Sequence, residues 1–179
     1  GVNLNAMSVF NGKLYAGDWS NGRVYGTADG AAWDAGTVVG GRVNSLAVFN
    51  GRLYVGNLNG KVYASANGTN WNAGTLIGFN ILALTTFNGR LYAGDLNGKV
   101  YASADGVAWD TGTIVGSAIS VLSVFDGKLY AGDSSTGQIY ATSDGVAWTG
   151  GVLVGTGIRS LAPLNGKLYA GDDDTGNIF

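Results

Sequence analysis

Five acidic or amide side chains recur along the chain at intervals of 38 or 39 residues, and they are the first candidates for chemistry: Asp18, Asn57, Asp95, Asp133 and Asp172. Their oxygens accept hydrogen bonds, so a ring of five would suit a polyhydroxylated ligand. The same residue types also form Asx turns, in which the side chain binds nearby backbone. Both interpretations are open, and the turn is the one that we favour.

A second polar set lies on the loops that connect the fourth strand of one repeat to the first strand of the next: Asn5, Asn44, Asn80, Ser120 and Arg159. We expect these connections to share one face of the molecule with the first set, which predicts a shallow site at each repeat. Trp19 adds an indole in the loop of the first set, between the second and third strands, where the other copies carry Leu58, Leu96, Ser134 and Asp173. An exposed Trp is a good anchor for a sugar or a protein.

Three carboxylates stand side by side at Asp172, Asp173 and Asp174, and they are a weak calcium candidate. A dedicated calcium loop spaces its ligands along the chain, and this triplet does not. We therefore favour a solvated turn. The chain has no Cys and no His, which removes zinc sites of the Cys/His type, and we expect no cofactor.

Catalytic side chains are scarce. The commonest general base, His, is absent, and all twelve acidic residues are Asp. An acid–base pair would therefore have to be two Asp residues. We expect a protein that is not an enzyme.

The elements that position these residues belong to an internal repeat. The phrase F-N/D-G-K/R-L-Y-A/V-G-D/N begins at Phe10, Phe49, Phe87, Phe125 and, with Leu for Phe, Leu164. Its Asn-Gly or Asp-Gly pair predicts a two-residue type I′ hairpin between two short strands. A third strand and a weaker fourth, 108–115 in the third copy, complete an antiparallel meander. A unit of this length is typical of a four-stranded propeller blade.

We therefore predict an all-β fold, a five-bladed β-propeller closed into a ring and forming a single domain. The predicted repeats are 1–40, 41–78, 79–116, 117–155 and 156–179. The fifth repeat is about 15 residues short, so its outer strand is missing. An unpaired edge invites pairing with another chain, which makes a homo-oligomer through the last blade an alternative.

A second motif, S/T-x-D/N-G-x-x-W, occurs in four copies, starting at Thr27, Ser65, Ser103 and Thr142. It resembles the Asp-box of sialidase-like β-propellers, although Asp and Gly adjoin here where one residue commonly separates them. The resemblance implies a turn between the third and fourth strands, with the Trp packed between blades. The predicted five-bladed shape is also similar to that of the tachylectin-like lectins, which have a longer repeat. The Arg triad of a sialidase is not expected, because the repeat scatters Arg around the rim.

These observations predict a non-enzymatic binding module with multivalent, lectin-like recognition of carbohydrate. The alternative is a structural or protein-interaction scaffold, including an artificial or recently amplified repeat protein. Charged residues make up 12% of the chain and the net charge is −2, so nucleic acid is an unexpected partner. No apolar run is long enough for a membrane span. The absence of Cys suits an extracellular chain slightly better than a cytosolic one.

Overall fold

The computed structural model describes residues 3–179, which form strands, turns and loops without a helix. Residues 1 and 2 of the first predicted repeat lie outside this range. Eighteen strands build five antiparallel sheets, and within each sheet the strands follow chain order. These sheets are the blades of a five-bladed β-propeller whose last blade is incomplete, as predicted. In the part that the structure describes, no helix could cross a membrane.

Each of the first four blades has three longer strands and an outer strand of two residues. Blade 1 contains β1 (Leu4–Phe10), β2 (Lys13–Asp18), β3 (Arg23–Thr27) and β4 (Thr37–Val38). Blade 2 contains β5 (Val43–Phe49), β6 (Arg52–Asn57), β7 (Lys61–Ser65) and β8 (Thr75–Leu76). Blade 3 contains β9 (Ile81–Phe87), β10 (Arg90–Asp95), β11 (Lys99–Ser103) and β12 (Thr113–Ile114). Blade 4 contains β13 (Ile119–Phe125), β14 (Lys128–Asp133), β15 (Gln138–Thr142) and β16 (Val152–Leu153). Blade 5 contains β17 (Ile158–Leu164) and β18 (Lys167–Asp172).

The hairpins between the first two strands have the predicted type I′ backbone. In blade 3, Asn88 has φ 45° and Gly89 has φ 70°, and the same pair of positive angles recurs in all five blades. Only Asn, Asp and Gly adopt this region readily, which explains why the repeat keeps Asn-Gly or Asp-Gly here. The turn fixes the register of both strands.

The predicted fourth strand, 108–115, is much shorter in the structure and is reduced to Thr113–Ile114. The Asp110 side chain accepts N–H groups from Ala102 at 3.0 Å and Gly112 at 3.1 Å, which holds the preceding segment in a turn. In blade 5, the predicted third strand is present as a short pairing in which Ala170 and Phe179 exchange two backbone hydrogen bonds of 2.9 Å.

Neighbouring blades pack through their inner strands, β1 on β5, β5 on β9, β9 on β13 and β13 on β17. At the second junction, Ile81 of blade 3 lies against the backbone of Gly56 in blade 2, and a Cβ added at that glycine would be 2.6 Å from Ile81 Cγ2. Glycine is therefore required for the close approach of the blades. Tyr54 is buried in the same apolar cluster, and Trp109 from the turn of blade 3 packs against it.

The predicted closed ring is wrong in one respect, because blade 5 does not pack on blade 1 in this way. Leu4 occupies the position of Ile81 in blade 1, yet it is 40% exposed, whereas Ile81 is fully buried. Gly171 occupies the position of Gly56 in blade 5, and among the described residues only Ser160 of its own blade lies near an added Cβ. The fifth junction is therefore open.

Candidate ligand-binding site on the propeller axis

A β-bulge begins the inner strand of every blade and points one side chain away from the ladder. In blade 1, Leu4 pairs with Asp18 and Ala6 pairs with Gly17, which leaves Asn5 between them without a partner. The register shifts at the same place in the other four blades. A bulge re-aims a side chain and is common beside binding sites. The bulge residues are Asn5, Asn44, Leu82, Ser120 and Arg159.

These five bulge residues line one cavity of about 230 Å³, which we call the axial pocket. Each blade contributes one residue, so the pocket lies where the five inner strands converge. Four of the five side chains are polar, and together they offer two amides, one hydroxyl and one guanidinium. The structure therefore brings one residue from each of the five repeats to a single candidate site, whereas separate sites were predicted.

Hydrogen bonds fix part of this lining. Asn44 is 8% exposed, and its Nδ2 donates to Asn80 Oδ1 at 2.7 Å and to the Ile81 carbonyl at 2.9 Å. The Ser120 hydroxyl lies between the carbonyls of Gly132 and Ile158 in two neighbouring blades. Their donors are thus committed to the protein, while the Asn44 and Ser120 oxygens remain available as acceptors.

Asn5 and Arg159 are the exposed members of the axial pocket. The Arg159 Nε lies 3.0 Å from Asp173 Oδ2, and both side chains are about half exposed. An exposed ion pair of this kind is weak, so the guanidinium can exchange its partner for a ligand oxygen. The open side of the pocket therefore carries its most adaptable polar groups.

Asn80 was predicted to belong to this set, and the structure places Leu82 there in its stead. Asn80 has φ 52°, lies two residues before the bulge and supports Asn44 as an acceptor. Leu82 is half-buried and is the one apolar group of the axial pocket. Position in the repeat would have identified Leu82, because it lies five residues before Phe87, the first residue of the hairpin phrase. The bulge residue lies at the same distance from that phrase in every repeat.

The first candidate set is buried inside the turns between the second and third strands. The exposed fraction is 0–4% for all five members: Asp18, Asn57, Asp95, Asp133 and Asp172. Asp133 accepts N–H groups from its own turn and from the loop before β13, at Ser135 (2.8 Å) and Ser117 (2.7 Å). The geometry is the Asx turn that we favoured, and these oxygens do not face a ligand.

Asp172 shows the electrostatic consequence of this arrangement. The N–H of Thr156 donates to its Oδ2 at 2.7 Å, and further N–H groups from its own turn donate to Oδ1 at 3.0 and 3.3 Å. These donors, the Thr156 N–H foremost, lower the pKa of Asp172 to about 2. The ionised carboxylate is therefore a structural element that ties blade 5 to its entry loop.

The calcium candidate at Asp172, Asp173 and Asp174 is not a site in the structure. The Asp172 carboxylate is occupied by backbone donors, and Asp173 pairs with Arg159. No cluster of three metal-binding side chains occurs among residues 3–179. Asp174 Oδ2 lies instead beside Gly157, so the three carboxylates have separate surroundings and do not converge.

Trp19 lies in the turn of blade 1 and is 39% exposed. The guanidinium carbon of Arg42, from the start of blade 2, lies 4.0 Å from its ring centroid, a cation–π contact. The backbone N–H of Trp19 donates to the Asn3 carbonyl at 2.8 Å, next to the bulge at Asn5. The indole and the guanidinium thus form a flat platform beside the axial pocket and not within it.

Solved structures that superpose on this chain confirm the fold. The computationally designed Ika8 protein is 16% identical and has a TM-score of 0.67, with 96% of this chain and 56% of that chain covered. A catalytically inactive virginiamycin B lyase from Staphylococcus aureus is 12% identical and has a TM-score of 0.80, with 99% and 69% covered. YCF48 from Cyanidioschyzon merolae is 13% identical and has a TM-score of 0.70, with 94% and 63% covered. This chain therefore spans 56–69% of the length of these three structures.

No curated protein matches the chain in sequence. Residues 74–166, more than half of the 179, match the family model described as DUF6242 beta propeller domain. The match agrees with the repeated four-stranded sheets. The chain therefore belongs to the DUF6242 beta propeller domain family.

Proposed function

We propose that the protein is a non-enzymatic binding module whose axial pocket takes a small polyhydroxylated ligand of the carbohydrate class. One observation carries the proposal: a β-bulge in every blade directs one side chain into a single pocket, and four of the five are polar. A pocket of about 230 Å³ is smaller than those that hold drug-sized ligands, about 300–1,000 Å³. A monosaccharide unit is the size that we expect.

The lining suits neutral hydroxyl groups. The amide and hydroxyl oxygens of Asn44 and Ser120 accept hydrogen bonds, and Asn5 and Arg159 supply donors on the open side. Trp19 and Arg42 add a flat surface beside the pocket on which a second sugar ring of a longer glycan would stack. The resemblance of the S/T-x-D/N-G-x-x-W turns to the Asp-box, a turn that also occurs in lectins, points the same way.

The acidic residues support binding over catalysis. The axial pocket contains no carboxylate in its lining, and the chain has no His, Glu or Cys. General acid–base chemistry on a glycosidic bond needs two carboxyl groups on either side of that bond. The polar groups that remain can hold a sugar without cleaving it.

Binding is tested by calorimetry and by amide chemical shifts with a panel of neutral monosaccharides at millimolar concentration. We expect Asn5→Ala to weaken binding about threefold to tenfold, the equivalent of one hydrogen bond. We expect Leu82→Asn to strengthen binding, because it completes the polar ring. Asn70→Ala, in an exposed turn away from the axis, is the matched control.

Two results would contradict the proposal. One is the absence of both heat and shift changes with every sugar at these concentrations. The other is binding that Asn5→Ala and Leu82→Asn leave unchanged, which would move the ligand away from the axial pocket.

A further inference from the structure

The same blade junction is built four times within the chain. In each case the first residue of one inner strand packs on a glycine of the preceding blade: Val43 on Gly17, Ile81 on Gly56, Ile119 on Gly94 and Ile158 on Gly132. All four of these aliphatic side chains are fully buried. A contact repeated with so little change is a property of the blade faces and not of any one pair.

A tyrosine completes the junction. The Tyr15 hydroxyl of blade 1 donates to the Asn67 carbonyl in the turn of blade 2 at 3.1 Å, and Tyr54 donates to the Asp105 carbonyl in blade 3 at 3.4 Å. The turn glycine that follows this carbonyl has no side chain, which leaves room for the ring. Blades 2 and 3 thus each carry a tyrosine on one face and a tyrosine socket on the other.

Each blade from the second onwards packs one face, which we call the leading face, on the opposite, trailing face of the preceding blade. Among residues 3–179, the leading face of blade 1 has no blade packed on it. Leu4 and Trp33 are 40% and 39% exposed, and with Tyr25 and Asp34 they line an apolar cavity of about 290 Å³. The corresponding Trp residues in blades 2, 3 and 4 are half-buried against the preceding blade. Nothing among the described residues lies within 4 Å of a Cβ added at Gly30, the turn glycine that would receive a tyrosine.

The trailing face of blade 5 is the opposite unfilled half. Gly171 has no neighbouring blade over it, and Leu164 and Ile178 are 58% and 77% exposed. The residues at the Ile178 position in blades 1 to 3 are 2–3% exposed. Tyr169, which corresponds to Tyr15, is half-buried and has no turn from a following blade against it.

We propose that a second copy of this chain seats the leading face of its blade 1 on the trailing face of blade 5, and so forms a fifth junction of the internal kind. Leu4 of one copy packs on Gly171 of the other, and the Tyr169 hydroxyl donates to the Asp29 carbonyl in the facing turn. This inference goes beyond the proposed function, because it concerns the blade faces and not the axial pocket.

Three features favour a second copy as the occupant. The two faces are apolar and carry the two halves of one interface, which the chain already forms four times internally. Exposed apolar patches of this kind mark association sites. The contact is head-to-tail, so each added copy covers one open face of the copy before it and leaves its own trailing face open.

The decisive experiment is a disulfide between two singly substituted chains, Leu4→Cys and Gly171→Cys, in a protein with no cysteine of its own. At the internal junctions, an added Cβ at Gly56, Gly94 or Gly132 is 3.1–3.3 Å from the Cβ of the facing isoleucine. A disulfide spans about 3.5–4.5 Å between Cβ atoms, so a small adjustment suffices. Rotation of the Ser160 hydroxyl makes room for the new side chain at position 171.

We expect the mixed variants to form a covalent heterodimer under mild oxidation. Leu4→Cys mixed with Val107→Cys, which is 67% exposed on blade 3, is the matched control and should stay monomeric. A double variant that forms its disulfide within one chain at high dilution would show self-closure and overturn the proposal. Equal cross-linking by the control would overturn it as well.

Light scattering over a concentration series provides the second measurement. We expect the unmodified chain to reach at least twice its monomer mass, and Leu4→Asp to raise the dissociation constant about tenfold or more, because a charge would be buried at the contact. The matched control is Val107→Asp. A mass that stays monomeric, or assembly without the specific disulfide, would refute the blade-face contact. The latter would indicate pairing through the strand edge of blade 5.

Discussion

Alanine truncation at one repeated position distinguishes an open junction from a closed ring. The position is the first residue of each inner strand, occupied by Leu4 in blade 1 and by Ile81, Ile119 and Ile158 in blades 3 to 5. The three isoleucines are fully buried against a glycine of the preceding blade, whereas Leu4 is 40% exposed. The same substitution therefore probes the same place in the blade with and without a neighbour.

The expected magnitudes follow from burial. Truncation of a fully buried Ile to Ala removes its apolar contacts and leaves a cavity, at a cost of about 2–5 kcal/mol. Ile81 and Ile119 lie between two complete blades, so we expect about 3–4 kcal/mol for each. Leu4 has blade 1 on one side and solvent on the other, and its truncation leaves an open surface without a cavity. We expect a cost of about 1 kcal/mol for Leu4→Ala.

The assay is urea unfolding at micromolar protein, followed by circular dichroism and by tryptophan fluorescence. Trp71, Trp109 and Trp148 pack at three separate junctions, so fluorescence reports on the contacts between blades. Coincident transitions would justify a two-state treatment. The loss of stability should appear as a lower urea concentration at the midpoint of unfolding, while the slope of the free energy of unfolding against urea stays unchanged.

A Leu4→Ala cost equal to that of Ile81→Ala would refute the open junction in the monomer. Protein concentration then separates the two remaining explanations. If a second copy covers Leu4, the cost should rise with protein concentration. If blade 5 of the same chain covers it, the cost should not change with dilution.

Three further predictions concern single side chains. Asn57→Asp should raise Tm by a few degrees, which corresponds to about 1 kcal/mol. The buried Asn57 Nδ2 has no acceptor, whereas its counterpart Asp95 Oδ2 accepts hydrogen bonds from a backbone N–H and from the Tyr101 hydroxyl. A lower Tm would contradict this prediction. Because the pKa of Asp172 is about 2 in the folded protein and about 3.9 in the unfolded chain, its carboxylate should stabilise the fold above about pH 3.9. This stability should be lost as the pH falls from about 3.9 towards about 2. Asp172→Asn should therefore make Tm depend less on pH between these values, and an unchanged pH profile would count against the prediction. Gly106→Ala should lower Tm more than the control variant Gly89→Ala. Both glycines have a positive φ, but only a Cβ added at Gly106 meets the Tyr54 hydroxyl. Equal losses of Tm would exclude that contact.

Local chemistry made the blade predictable from the sequence. The Asn-Gly and Asp-Gly pairs specify type I′ hairpins because few other residues adopt positive φ at both positions, and the structure shows those angles in every blade. The recurrence of the hairpin then fixed the blade count. The outer strand was overestimated, because Asp110 holds the residues before it in a turn through side-chain hydrogen bonds.

The axial pocket was only partly predictable, because a bulge depends on the pairing of two strands and not on the composition of one. Asn5, Asn44, Ser120 and Arg159 were identified as polar residues near the strand starts, but only the register shows that they are the bulge residues. In blade 3 the predicted polar residue, Asn80, lies two positions before the bulge residue, Leu82, which was not predicted. Residue position within the repeat was a better guide than polarity.

The number of repeats does not determine whether the ring closes, because the rotation from blade to blade is set where the inner strands meet. Ile81 against Gly56 and Ile119 against Gly94 fix the separation of neighbouring sheets, and nothing in that contact depends on how many blades follow. Each junction leaves the next blade with the same free face, so the array ends only where a blade lacks a partner. In this chain those ends are Leu4 and Gly171, which are the two halves of one contact. Both halves of the proposed contact with a second copy are therefore already present in the repeat.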